Sequence, residues 1–180
     1  MEFFAYKQWR KDLFKRMMPQ KGELILEIGV GTGKNTPFYG EGEYVSFDVS
    51  RKMILKAKER ARGKEVTLLL ADAEFLPFKD NTSDKIFSTF VFCSVENPID
   101  GLNEAYRVLK HGGKAFFLEH MLPKSRIVQP FFHILNPFVR ILGPEINRKT
   151  YKNIKKAGFE ILEEEKLFFT VFRIIEAKKV

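Results

Sequence analysis

A short apolar run followed by three alternate glycines limits what this chain can fold into. Residues 24–28 have the composition of a buried β-strand, which ends in Glu27-Ile28 directly before Gly29-Val30-Gly31-Thr32-Gly33. Only glycine lets the backbone of such a turn approach a ligand closely. The motif therefore predicts a strand, a bare turn and a helix N-terminus that together contact a nucleotide-like ligand.

The spacing of the glycines distinguishes between kinds of ligand. In the dinucleotide fingerprint G-x-G-x-x-G, the glycines and the helix dipole bind a pyrophosphate. Here the third glycine, Gly33, comes one residue early. This spacing disfavours a nicotinamide oxidoreductase, while a tight strand-to-helix connection without any ligand remains the alternative at this point.

Along the chain, apolar runs alternate with amphipathic stretches, a pattern typical of an α/β protein with a mostly parallel sheet. The predicted strands are residues 24–28, 44–48, 66–71, 85–90, 114–119, 160–165 and 168–177, and the last two are expected to form an antiparallel hairpin. The predicted helices are 5–17, 50–62, one around 102–109, and 150–157 before Gly158. Because 180 residues, 44% of them hydrophobic, suit one core, we expect residues 1–180 to form a single domain.

Two carboxylates follow neighbouring predicted strands. Asp48 ends the second strand, where a carboxylate can accept hydrogen bonds from both hydroxyls of a ribose. Asp72 follows the third strand, where it could accept a hydrogen bond from an adenine amino group while Phe75 and Leu76 close the loop. The alternatives are a helix-N-terminal carboxylate for Asp48, although Ser50 can supply that cap, and an Asx turn for Asp72.

These stretches together resemble the class I S-adenosylmethionine (SAM)-dependent methyltransferases of the quinone-biosynthesis type, and more closely the small methyltransferase-like proteins that act on thiols or phospholipid head groups. The matching stretches are residues 26–33, 48–50, 72–78, 93–98, 107–113 and 117–120. The resemblance implies a Rossmann-like fold, with SAM as cofactor and S-adenosylhomocysteine (SAH) as product. It implies these cofactor contacts: Glu27, Gly29, Gly31, Gly33, Asp48, Val49, Asp72, Ala73, Thr89 and Phe90. His111 replaces a proline that is usual in the family, which we interpret as a harmless change in a turn.

Methyl transfer from a sulfonium is an in-line displacement, so alignment and exclusion of water can supply most of the rate, and a general base is optional. His120 follows the predicted fifth strand and is the candidate base or orienting group; a hydrogen-bonded loop residue is the alternative. Cys93, the single cysteine, is predicted to be a buried packing residue. A lone cysteine leaves no cluster for structural zinc, and no metal site is predicted.

Residues 123–143 are apolar and aromatic, but Pro130 and Pro137 exclude one straight helix, and two short helices are predicted. The segment is too broken and short to span a bilayer. It could be an ordinary cap on the core, a substrate lid lined by Phe131, Phe132 and Phe138, or a surface that contacts membranes transiently.

The formal net charge of +8 allows an anionic partner, but the basic residues are scattered around predicted helices as ordinary exposed faces would be. An Asn/Asp-Pro-Pro-aromatic motif is absent after the fourth strand, which reads Thr89-Phe90-Val91-Phe92, so nucleic acid is a disfavoured partner. The leading hypothesis is methylation of a small, partly apolar acceptor: a thiol, a quinone-type ring or a lipid head group. The alternatives are RNA methylation and a SAM-binding partner subunit without catalysis.

The compartment is predicted from the first residues and the cysteine count. Residues 1–16 mix aromatic and basic side chains and lack the apolar stretch of a signal peptide or membrane span. One cysteine forms no intramolecular disulfide. We therefore expect a cytoplasmic protein, and the sequence predicts no oligomeric state.

Overall fold

The computed structural model describes residues 4–120, 150–168 and 171–180. Its helices are α1 (Phe4–Met17), a 3-10 helix (Thr36–Phe38), α2 (Arg51–Arg60), α3 (Pro98–Val108) and α4 (Thr150–Lys156). Its strands are β1 (Leu24–Ile28), β2 (Glu43–Asp48), β3 (Val66–Leu70), β4 (Ser83–Thr89), β5 (Leu109–His120), β6 (Glu160–Lys166) and β7 (Phe172–Lys178). The proposed lid, residues 123–143 with Phe131, Phe132 and Phe138, lies outside the described residues.

The strands form one seven-stranded sheet in the order β3-β2-β1-β4-β5-β7-β6. The first five strands in this order, β3, β2, β1, β4 and β5, run parallel to one another. β7 pairs antiparallel with both β5 and β6. This is the Rossmann-like α/β arrangement with an antiparallel C-terminal hairpin, so the predicted fold class is confirmed. The strand order reverses at β1, and open α/β sheets bind ligands beside the carboxyl ends of the strands at such a point.

Alternate residues of the strands fill two hydrophobic cores, one on each face of the sheet. One core joins α3 and α4 to the sheet through residues such as Leu26, Ile86 and Phe117. The other joins α1 to the next residues along the strands, such as Ile25, Phe87 and Phe116. The central strands are therefore buried on both faces, as expected for a parallel sheet covered by helices.

The ends of the elements differ from the prediction where glycine or backbone conformation decides them. β4 ends at Thr89 because Phe90 has φ +60, a left-handed conformation that leaves the strand. β5 begins at Leu109 instead of residue 114, so His111, interpreted from the sequence as part of a turn, lies within this strand. β7 begins at Phe172, four residues later than predicted.

Helix ends follow capping residues. α2 begins after Ser50, whose side chain accepts a hydrogen bond from the Met53 N–H, as predicted. α4 is followed by Gly158 with φ +100, which confirms the predicted closure. Within the described part of the chain, no helix is long and apolar enough to cross a bilayer.

Candidate active site

A cavity of about 670 Å³ opens at the carboxyl ends of β1, β2, β3 and β4. It lies at the point where the strand order reverses, and it has the size of an ordinary small-molecule site. Its lining contains eight of the ten predicted cofactor residues: Gly29, Gly31, Asp48, Val49, Asp72, Ala73, Thr89 and Phe90. Glu27, Gly33 and His120 do not line it. The loops after four separate strands therefore meet as the sequence predicts.

The three glycines of the motif have different tasks. All three have positive φ, which favours glycine. Gly29 and Gly31 line the cavity, and a Cβ added at Gly31 would meet no protein atom within 4 Å. Gly33 instead packs on α2, since an added Cβ there would lie 3.0 Å from the Ala57 Cα. Gly31 is thus the glycine that keeps space open for a ligand, and Gly33 serves packing.

The predicted helix N-terminus after the glycine turn is wrong. The turn leads only into the three-residue 3-10 helix Thr36–Phe38, with Pro37 in its first turn and an extended Tyr39 at its end. The chain then enters β2 at Glu43 without an α-helix in between. The turn's amides are also engaged, because the Val30 N–H donates to the Phe47 carbonyl oxygen and the Gly33 N–H to that of Val30.

Asp48 joins the glycine turn to α2. Its Oδ2 accepts a hydrogen bond from the Gly31 N–H at 2.9 Å, and its Oδ1 accepts one from the Ser50 N–H at 2.9 Å. Each carboxylate oxygen has about two lone-pair sites, so one site on each remains for a ligand hydroxyl. The side chain is partly exposed at the cavity, where the predicted ribose contact requires it.

Asp72 combines the two interpretations of its position. Its Oδ1 accepts a hydrogen bond from the Glu74 N–H at 2.9 Å, so it is an Asx-turn residue. It also lines the cavity together with Ala73 and Glu74. Leu76 is buried beside this loop, whereas Phe75, predicted to help close it, is 79% exposed. The turn fixes the carboxylate at the cavity edge.

Glu27 lies behind the cavity lining and is fully buried. Its Oε1 accepts a hydrogen bond from Asn35 Nδ2 at 2.5 Å, and its Oε2 accepts one from the Tyr39 hydroxyl. Burial raises the pKa of Glu27, although these hydrogen bonds and the charge of Arg10 act against the rise. Asn35, which lines the cavity, therefore connects Glu27 to it.

Arg10 of α1 reaches the same place from the N-terminal helix. It lines the cavity although it is only 5% exposed. Its Nη1 donates to Asn35 Oδ1 and to Thr89 Oγ1, both at 2.9 Å, and its Cζ lies 5.3 Å from the centroid of the Phe90 ring. Sequence reasoning missed Arg10 and Asn35. A signal existed for Arg10, which falls on the helical stripe with Leu13 and Met17 that faces the core.

Glu119 holds the loop that leaves β4. Its Oε1 accepts hydrogen bonds from Ser88 Oγ, the Val91 N–H and the Phe92 N–H at 2.9, 3.1 and 3.3 Å. The carboxyl group is fully buried, and burial raises its pKa to about 7 despite these donors. Since Val91 lines the cavity next to Phe90, Glu119 supports the lining from behind.

His120, the candidate base, lies at the end of β5 outside the lining of the cavity. Its ring packs edge-on against Phe172 with 5.0 Å between centroids. Burial lowers its pKa to about 4, so the imidazole is neutral at physiological pH but is a weaker base than an ordinary histidine. Cys93 is buried, as predicted.

Comparisons with known proteins agree with this geometry. A family model described as "Methyltransferase domain" matches residues 26–117, just over half of the chain. A demethylmenaquinone methyltransferase of Lactobacillus johnsonii is 29% identical over 87% of this chain and 72% of its own length. Thiol S-methyltransferase TMT1B of Rattus norvegicus is 31% identical over 87% of this chain and 69% of its own. The chain belongs to the class I SAM-dependent methyltransferases.

A solved structure supports the methyltransferase fold. A SAM-dependent methyltransferase from Aquifex aeolicus superimposes with a TM-score of 0.72 at 21% identity, over 95% of this chain and 89% of the other. SAM is the methyl donor of this family. The cavity fits it, since carboxylates at the ends of β2 and β3 suit a ribose and an adenine amino group, and the acidic lining residues Asp48, Asp72, Glu74 and Glu96 suit a sulfonium cation.

Proposed function

We propose that this methyltransferase transfers the methyl group of SAM to a small, partly apolar acceptor: a thiol, a quinone-type ring or a lipid head group. The observation that carries the proposal is that one cavity joins the strand-end carboxylates to apolar side chains after β4, where Phe90, Val91 and Val95 contribute to the lining. The names of the two curated relatives, a demethylmenaquinone methyltransferase and a thiol S-methyltransferase, support acceptors of this class.

Each part of the lining has a role in this proposal. SAM supplies, when bound, a methyl group on a cationic sulfur. Asp48 accepts hydrogen bonds from the ribose hydroxyls, and Asp72 accepts one from the adenine amino group. Gly29 and Gly31 leave space beside the amino-acid tail. Phe90 and Val91 exclude water from the place where the acceptor approaches, which favours displacement without a strong base.

His120 lies at the end of β5 outside the cavity lining, so in this scheme it is an orienting group or weak proton acceptor for an acceptor that extends beyond the cavity towards β5. With its pKa lowered to about 4, the neutral imidazole can accept a hydrogen bond at physiological pH. A thiol or phenol that ionises readily needs no stronger base, because it already supplies some anion near neutral pH. A weak proton acceptor therefore favours acidic acceptors over amines or alcohols.

A panel of acceptors tests the proposal. Thiols, quinols, phenols, amines and lipid head groups are incubated with SAM and the protein, and the release of SAH is measured by mass spectrometry. We expect turnover on thiols or quinol-type rings. Asp48→Ala is the matched control, since turnover that depends on the site must fall in that variant. SAH release confined to RNA would contradict the proposal.

A further inference from the structure

The cavity has an uneven distribution of charge. Asp48 ends β2, and Asp72, Glu74 and Glu96 lie in the loops after β3 and β4. The basic lining residues are the exposed Lys34 and the buried Arg10, which contacts the residues beside the glycine turn. SAM has the matching arrangement, because its nucleoside end offers hydroxyl and amino donors while its amino-acid tail ends in a carboxylate. Resting on the proposed function, we infer that Arg10 binds the carboxylate of the amino-acid tail of SAM.

The backbone beside the cavity provides little competing positive charge. A helix N-terminus would normally attract an anion at a glycine turn, but this turn leads into a 3-10 helix of three residues. Its Val30, Gly31 and Gly33 N–H groups donate to protein acceptors. A guanidinium with a full charge and donors on three nitrogens therefore takes the place that the helix dipole has in dinucleotide-binding folds.

The surroundings of Arg10 fix its guanidinium in position. Asn35 Oδ1 and Thr89 Oγ1 both accept from Nη1, and Asn35 in turn donates to the buried carboxylate of Glu27 at 2.5 Å. Thr89 Oγ1 also accepts a hydrogen bond from Asn35 Nδ2 at 2.9 Å. The side-chain amide of Asn35 lies between Arg10 and Glu27, and the nearby Glu27 carboxyl group offsets part of the cost of burying the Arg10 charge. Arg10 is thereby preorganised for an anionic ligand.

The test removes the carboxylate and the cation separately. Calorimetry compares SAM with decarboxylated SAM, which keeps the nucleoside, sulfonium and amine but lacks the carboxylate. We expect the wild-type chain to prefer SAM by about 10- to 100-fold, the range for hydrogen bonds between charged groups. Arg10→Met should weaken SAM by a similar factor, change decarboxylated SAM less than about threefold, and so abolish the preference.

Arg10→Lys and Lys11→Met complete the experiment. The lysine variant retains the charge without the planar fork, so it should keep part of the preference for SAM. Lys11 is the exposed neighbour on α1, and its replacement should change neither affinity. If Arg10→Met does not fold, the ligand preferences of the wild-type and lysine chains decide the question.

Several results would overturn the assignment. One is an equal loss of both ligands in Arg10→Met, which indicates a purely structural role; another is a wild-type chain without preference for SAM. An Arg10 variant that raises only the acceptor's KM would place the anion on the acceptor instead. A wild-type chain that binds neither ligand would refute the proposed function itself, and this assignment with it.

Discussion

At the scale of single residues, Asp48 shows how one side chain can serve both the fold and the ligand. Its two carboxylate oxygens accept hydrogen bonds from the Gly31 N–H in the glycine turn and the Ser50 N–H at the start of α2. Loss of the carboxylate would remove the proposed ribose contacts and release the glycine turn at the same time. Asp48 therefore matters to affinity through both position and direct contact.

Asp48→Ala should weaken SAM binding by roughly 1.5–3 kcal/mol, the range for a hydrogen bond to a charged group. Because the side chain also caps two backbone N–H groups, the free energy of unfolding should fall by about 1 kcal/mol. Calorimetry and urea unfolding measure the two effects, and Glu59→Ala, at an exposed position on α2, is the control. An unchanged affinity for SAM would move the ribose contact to another residue.

Glu119 makes stability depend on pH, with a sign opposite to that of a salt-bridged carboxylate. Burial raises its pKa from 4.5 to about 7, so the folded state binds more protons than the unfolded state between these values. Its ionisation therefore costs stability as the pH rises from 4.5 to 7. His120 acts the other way, because its pKa is lowered to about 4 and the unfolded state takes up the proton first.

Glu119→Gln isolates this contribution, since glutamine resembles the protonated acid and retains an acceptor for the Val91 and Phe92 amides. We expect the variant to be about as stable as the wild type at pH 4.5 and more stable by ~3 kcal/mol at pH 8. Urea unfolding across this range gives the difference. His120 and Glu27 are present in both proteins and cancel, so parallel curves would contradict the buried ionisation.

Residue by residue, the sequence is most informative where the chemistry of the ligand demands one residue type. A glycine turn and carboxylates at strand ends are local patterns, and eight of the ten cofactor contacts implied by the family resemblance line the cavity. Arg10, Asn35 and Glu119 depend on contacts between distant parts of the chain: Arg10 meets Thr89 across 79 positions. No local pattern reports that contact, so these residues emerge only from the fold.

At the scale of elements, the glycines of the turn have two separate roles, space for the ligand and packing against α2. Gly31 and Gly33 both have positive φ, but only Gly31 lines the cavity, while Gly33 lies against Ala57 of α2. A methyl group at either position strains the backbone by a similar amount, roughly 1–2 kcal/mol. The two substitutions should differ in their further effects, on SAM affinity at Gly31 and on packing stability at Gly33.

Gly31→Ala should weaken SAM markedly, because its new methyl group would occupy cavity space, while the free energy of unfolding falls only by the backbone strain. Gly33→Ala should lose a further ~1–3 kcal/mol of stability from crowding against the Ala57 backbone, with little change in SAM affinity for the folded protein. Urea unfolding and calorimetry on the two variants form a matched pair. Equal losses of affinity would refute this division.

Element boundaries are predictable from the sequence where side chains decide them and much less so where the backbone does. Ser50 caps the start of α2, and Gly158 follows the end of α4. The left-handed Phe90 ends β4 without any sequence signal, because only its contacts hold a phenylalanine in that conformation. The missing helix after Gly33 shows a further limit: the motif predicts the turn, but only a three-residue 3-10 helix lies between this turn and β2.

At the scale of the whole molecule, the net charge of +8 gives little support for nucleic acid as a partner. In the described part of the chain, several basic side chains face carboxylates; Lys85–Glu23, Lys110–Asp84 and Lys114–Glu176 lie at 2.6–2.8 Å. These cations lie away from the cavity, whose lining carries more acidic than basic side chains. A phosphate backbone entering the cavity would meet this negative charge.

The same charge distribution, together with the fold, leads to a prediction about cofactor choice. At 100 times its Kd, a ligand that binds only the folded state adds about 2.7 kcal/mol to stability, which for a chain of this size raises the melting temperature by roughly 5–10 °C. SAM and SAH should each produce this shift. NAD should produce almost none at equal concentration, because its pyrophosphate would bring negative charge into a cavity whose lining has more acidic than basic side chains, and would find a 3-10 helix of three residues instead of a helix N-terminus. Thermal unfolding with each ligand, repeated with Asp48→Ala to show that the shift arises at this cavity, measures the difference. A shift with NAD as large as that with SAH would mean that the glycine turn accepts a pyrophosphate after all.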